Sequence, residues 1–79
     1  MVDQGETILR EFGFRIFRVR YHGELVRLEF GPTDLERAMN LTMAEILVKR
    51  FKALGFKYIT IDLEGFRSGS LNEVLPVLR

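Results

Sequence analysis

Three arginines and one glutamate, spaced at alternate positions along two short runs, are the residues of this chain best placed to do chemistry. Arg18 and Arg20 alternate with Phe17, Val19 and Tyr21, and Arg27 and Glu29 alternate with Val26, Leu28 and Phe30. A period of two puts alternate side chains on opposite faces of a strand. A tight turn at His22-Gly23 would join the runs into a hairpin, with Tyr21 opposite Glu24, Val19 opposite Val26 and Phe17 opposite Leu28. One face then carries Phe17, Val19, Tyr21, Val26, Leu28 and Phe30 as core. The other carries Ile16, Arg18, Arg20, Leu25, Arg27 and Glu29. This register sets Arg18 directly across from Arg27, and like charges so opposed repel. A negative group should stand near them: Glu29, Asp62 or a bound phosphate. The plainer alternative is a solvated sheet face laced with carboxylates, which needs no ligand.

A second cluster is Gly65-Phe66-Arg67-Ser68-Gly69-Ser70-Leu71-Asn72. Backbone N–H groups, the hydroxyls of Ser68 and Ser70 and the Arg67 guanidinium offer donors to an anion. The lysine and spacing of a nucleotide-binding P-loop are missing, and small polar residues also simply make loops. Catalytic constellations are absent. The chain has no cysteine and a single histidine, His22, which excludes disulfides, thiolate nucleophiles and a zinc site of its own. Nothing brings His22 to Ser68 or Ser70 as a base. Phe12, Phe14, Phe17 and Phe51 fall at core positions rather than on a base-stacking platform, and no GxxG loop of a KH-type RNA module occurs.

The elements that must position these groups show an internal repeat: residues 9–19 align with residues 51–61. Each copy reads as a helix end, a glycine stop (Gly13, Gly55) and a strand. Asp3 with Glu6 forms a capping box for the first helix, whose apolar stripe is Ile8, Leu9 and Phe12. Strands are expected over residues 14–21, 24–30 and 57–63. Thr33 with Glu36 and Thr42 with Glu45 suggest two helices broken near Asn40, the longer carrying Met43, Ile46, Leu47, Phe51 and Leu54 on one side. A short helical turn near Pro76 follows the loop. The expected architecture is α+β: a two-layer α/β sandwich in the order α-β-β-α-α-β, with a three-stranded sheet and its helices on one face. An open sheet edge would need cover from the C-terminal tail or another subunit.

Seventy-nine residues make one domain with a modest core, and 12 Lys+Arg against 11 Asp+Glu leave a net charge of +1. That balance argues against a nucleic-acid or membrane-surface binder. No apolar run is long enough for a membrane helix, and the N-terminus lacks the form of a signal peptide, so a cytoplasmic location is expected.

Residues 15–23, then 26–29, then 54–73 resemble the C-terminal domain of the ATP-dependent sacrificial sulfur transferases of LarE type. The most specific stretch is Asp62-Leu63-Glu64-Gly65-Phe66-Arg67-Ser68-Gly69-Ser70. The resemblance implies a partner PP-loop ATP pyrophosphatase domain that adenylylates a pyridinium carboxylate before sulfur transfer. It also implies that this domain helps form oligomers and lends charged residues to a phosphate-containing substrate. Arg18 would then contact phosphate, Glu29 would be a pocket carboxylate and Arg67 a second phosphate contact, with Glu6 a further member. The PP-loop itself, Ser-Gly-Gly-x-Asp-Ser, is missing, as is the family's cysteine-bearing segment. Binding of ATP, AMP or a pyridinium mononucleotide is therefore expected of the complete system, not of this chain alone. A separate PP-loop subunit or a homo-oligomer is the expected partner, and a purely structural homo-oligomerisation domain is the alternative.

Overall fold

The computed structural model describes residues 3–66. Helix α1 (Gln4–Glu11) starts at Asp3, whose carboxylate accepts the Glu6 N–H at 3.0 Å, as the capping pattern predicts. It ends in a Schellman motif: the Gly13 N–H bonds Arg10 C=O at 3.0 Å and the Phe14 N–H bonds Leu9 C=O at 3.1 Å. Gly13 sits at φ 87°, in the region only glycine enters cheaply. Strands β1 (Phe17–His22) and β2 (Leu25–Phe30) follow, then helices α2 (Pro32–Ala38) and α3 (Leu41–Ala53), and strand β3 (Tyr58–Ile61). The order α-β-β-α-α-β and the α+β class are those expected.

Strand β2 is central, antiparallel to β1 and parallel to β3. The connection through α2 and α3 supplies the crossover that a parallel pair requires. The repeated units therefore flank β2 on its two sides, and β1 and β3 run in opposite directions. The second unit closes as the first does, with Gly55 N–H to Lys52 C=O at 2.9 Å and Phe56 N–H to Phe51 C=O at 3.4 Å. One core holds both units. Ile8, Leu9, Ala38, Leu47 and Phe51 from the helices pack with Phe14 on Val26, Leu28 and Phe30. Tyr21 ties the end of β1 to the start of α1 through a hydroxyl hydrogen bond to the Asp3 carboxylate.

Three local expectations are corrected. The hairpin turn is Gly23-Glu24, since His22 pairs with Leu25. Gly23 occupies the first central position at φ 59° with no positive φ at Glu24, the pattern of a type II′ turn. A turn at His22-Gly23 would have forced His22 into that region instead. The helix starts also shift. Helix α2 opens with Pro32 behind Gly31, because proline lacks the N–H that a cap would have to satisfy, and α3 is capped by Asn40, which accepts the Met43 N–H at 2.8 Å. Strand β1 begins later than expected because Phe14 belongs to the helix stop. The N–H groups of Arg15 and Ile16 go to the Asp34 carboxylate, at 2.7 and 2.9 Å, and not to a neighbouring strand.

Candidate anion-binding face

Moving the turn by one residue moves each pairing by two, so every side chain keeps its face while its partner changes. The arginines and Glu29 stand on the open face as expected, but the opposed like charges are Arg20 and Arg27, and Arg18 lies across from Glu29. The expected Arg18–Arg27 opposition is not present. From the turn outward, rows cross the open face: His22, Leu25 and Tyr58; then Arg20, Arg27 and Thr60; then Arg18 and Glu29.

Glu29 resolves the repulsion. Its residue surface is only 7% exposed although it faces away from the core. One carboxylate takes both arginines: Arg20 Nε at 3.3 and 3.4 Å from its two oxygens, and Arg27 Nε at 3.2 Å and Nη2 at 3.1 Å from Oε2. Two guanidinium groups at this distance screen the acid from solvent, in keeping with its burial. Asp62, the other acid expected near the arginines, accepts the Glu64 N–H at 2.9 Å in the chain beyond β3. Thr60, across from Arg27, donates its hydroxyl to Val26 C=O at 2.9 Å.

Arg18 is arranged differently. Its guanidinium carbon lies 5.0 Å from the centre of the Phe66 ring, and among the described residues it holds no carboxylate. Phe66 is brought there by the return of the chain past β3. The Gly65 N–H bonds Asp62 C=O at 3.0 Å and the Phe66 N–H bonds Phe30 C=O at 2.8 Å. Gly65 sits at φ 81°, and a Cβ there would lie 2.6 Å from Phe30 O, so this return requires glycine. Phe66 was legible only as a loop residue; the signal was the glycine directly before it.

Glu6 is not brought to these groups. It stays on α1, in the helical layer, 3.4 Å from Arg10. Arg67, Ser68, Ser70 and the turn near Pro76 lie outside the described residues. A recess of about 530 Å³ opens elsewhere, lined by Arg15, Ile16 and residues 31–34, so the arginine face is sheet surface rather than part of this cavity. Asp34 borders that recess. Burial alone would raise its carboxyl, but the N–H groups of Ile16 and Arg15 and the Arg37 charge outweigh burial and hold it below the ordinary aspartate value. At Tyr21, burial and then the Asp3 carboxylate push the hydroxyl above the usual phenol range. Among the described residues no group of three or more His, Cys, Asp or Glu is placed to hold a metal ion, and no helix is long and apolar enough to cross a membrane.

An α+β domain with a basic open sheet face, closed at one end by a Gly-Phe return, is the class these observations define. No protein-family model matches the chain. Over 94% of its length it is similar to the pyridinium-3,5-bisthiocarboxylic acid mononucleotide synthase of Lactiplantibacillus plantarum, at 37% identity over 74 residues, and the match takes in 26% of that protein. An uncharacterised protein of Synechocystis is 39% identical over 74 residues, which are 28% of its length. The resemblance to a LarE-type synthase is thus shown along nearly the whole chain. The chain spans only about a quarter of the curated relatives it matches.

Proposed function

We propose that this chain is a non-catalytic accessory module of a PP-loop, ATP-dependent sulfur-transfer system in the cytoplasm. Its open sheet face contributes to a site for a phosphate-bearing substrate, and the module helps hold subunits together. The similarity to a synthase whose named product is a mononucleotide carries this reading. The face supplies a matching group: Arg18, exposed and without a carboxylate among the described residues, offers in-plane N–H donors to a phosphate. Arg20 and Arg27, gathered on Glu29, add positive potential beside it, and Arg67, Ser68 and Ser70 follow Phe66 directly or closely in the chain. A flat face of this kind is half a site, and a PP-loop subunit or a second copy completes it.

Titration of the chain with pyrophosphate, AMP and nicotinate mononucleotide, followed by amide NMR shifts, tests the proposal. Shifts centred on Arg18 and Glu29, lost in the Arg18→Ala/Arg67→Ala double variant, are expected. Unchanged anion affinity in that variant overturns it. A second reading, a purely structural homo-oligomerisation domain, is favoured by one observation: among the described residues both outer strands, β1 and β3, leave an edge without a partner strand. Self-association without any anion-induced shift would select it over the first.

A further inference from the structure

Arg18 stands directly opposite Glu29, the geometry in which a cross-strand ion pair is the default. The pair does not form. Glu29 is engaged by Arg20 and Arg27, and Arg18 is laid on the Phe66 ring instead. Stacking by itself does not separate Arg18 from other arginines. Arg10 lies over Phe17, Arg37 over Phe14 and Arg50 over Phe12. Each of those three also holds a carboxylate, on Glu6, Asp34 and Glu11 respectively. Among the described residues, Arg18 is the arginine over a ring that makes no ion pair with a carboxylate.

We propose that Phe66 is a positioning residue: its ring draws the Arg18 guanidinium off Glu29 and holds the in-plane N–H edge open to a phosphate or carboxylate. A ring engages the flat face of a guanidinium, whereas an oxyanion is taken by its edge, so both contacts coexist. The backbone that carries the ring is anchored. The Phe66 amide is bonded to Phe30 C=O at 2.8 Å, and the contact of Gly65 with that same carbonyl leaves no room for a side chain one residue earlier. Since Phe66 follows β3 while Arg18 sits on β1 at the opposite edge of the sheet, the return of the chain past β2 decides whether this cation is free. Such an arginine starts oriented, and less side-chain freedom is lost when an anion arrives.

This inference rests on the anion-site reading above and deepens it. The test uses the full chain, inorganic phosphate as the probe, and NMR of the arginine side chains. In the unsubstituted chain the Arg18 δ protons are expected to be displaced upfield by the ring, and Phe66→Leu removes the displacement. Phe66→Leu is expected to weaken phosphate binding about two- to five-fold, the range an exposed cation–π contact supports. Phe66→Tyr, which keeps the ring, is expected to retain both the displacement and the affinity, a rescue that a merely space-filling role does not require. If Phe66→Leu binds phosphate as tightly as the unsubstituted chain while Arg18→Ala loses it, the role of Phe66 is overturned and the anion site stands. Phosphate affinity indifferent to Arg18→Ala overturns the anion reading itself. Should Phe66→Leu fail to fold, Arg18 δ protons without upfield displacement in the unsubstituted chain still overturn the inference.

Discussion

Glu29 and Asp34 are equally hidden, each 7% exposed, and they do opposite work. Asp34 spends its charge on the backbone. It accepts the N–H groups of Arg15 and Ile16, fixing the segment between the α1 stop and β1, while Arg37 balances it at 3.5 Å. Arg37 also donates to the carbonyls of Phe12 and Gly13, at 2.8 and 3.2 Å, so this ion pair helps close the first helix. Glu29 spends its charge on side chains. It gathers two arginines that the register would otherwise leave in repulsion, and it holds them on a face that points away from the core. A buried carboxylate can therefore serve the fold or organise a surface, and its partners reveal which. Depth of burial does not.

The comparison breaks most sharply at Asp34. Asp34→Ala leaves two amide N–H groups without their charged acceptor, and a loss of about 3 kcal/mol is expected in urea denaturation. The acid side follows in sign. The folded Asp34 carboxyl lies below its ordinary 3.8, so its contribution is complete above that value and is lost as pH falls through the folded one. Asp34→Asn should flatten the decline of stability below about pH 4. Part of the slope should survive, since Asp3 is also lowered: its burial is outweighed by the Tyr21 hydroxyl, the amides of Glu6 and Gly5, and Arg10. An acid limb as steep in Asp34→Asn as in the parent chain would contradict the role given to this group.

A smaller effect is expected at Glu29. Its arginine partners have side chains 42% and 40% exposed, so solvent screens much of the interaction, and Glu29→Gln should cost about 1 kcal/mol. The loss should shrink as salt is added, because salt screens the Arg20–Arg27 repulsion that the variant uncovers. A loss as large as that at Asp34 and insensitive to salt would mean that Glu29 supports the core. Smallest of all is Arg18→Ala, expected within about 0.5 kcal/mol of the parent in thermal or urea unfolding. Destabilisation well beyond that would make the Phe66 stack a fold contact and erase the distinction between this arginine and the pair on Glu29.

Much of the scaffold was legible because it is written in local rules. Alternation along residues 17–22 and 25–30 assigned the two faces of the hairpin, and those assignments survive the corrected register because the pairing shifts by two. The repeat marked both helix-to-strand units, and Gly13 and Gly55 adopt the positive φ that marked them. Threonine–glutamate spacing signals the break near Asn40, although the asparagine makes the cap. The turn departs from expectation for a definite reason: Gly23 takes the first central position, and a glycine in the second would pair every residue with a partner two positions away. The need for a negative group among the arginines was legible, but not which arginines would receive it.

By itself, then, the sequence determined the order of elements, the stops between them, the dry face of the sheet and the concentration of arginines on the other. Each follows from the period of a strand or helix or from the steric freedom of glycine, which act over a few residues. Only the tertiary structure decided that Glu29 serves Arg20 and Arg27, that Asp34 reaches back 18 and 19 residues to the amides before β1, and that Phe66 arrives over Arg18. Long side chains can choose direct or diagonal partners that differ by only a few tenths of a kcal/mol, and the path of the chain around the end of the sheet makes that choice.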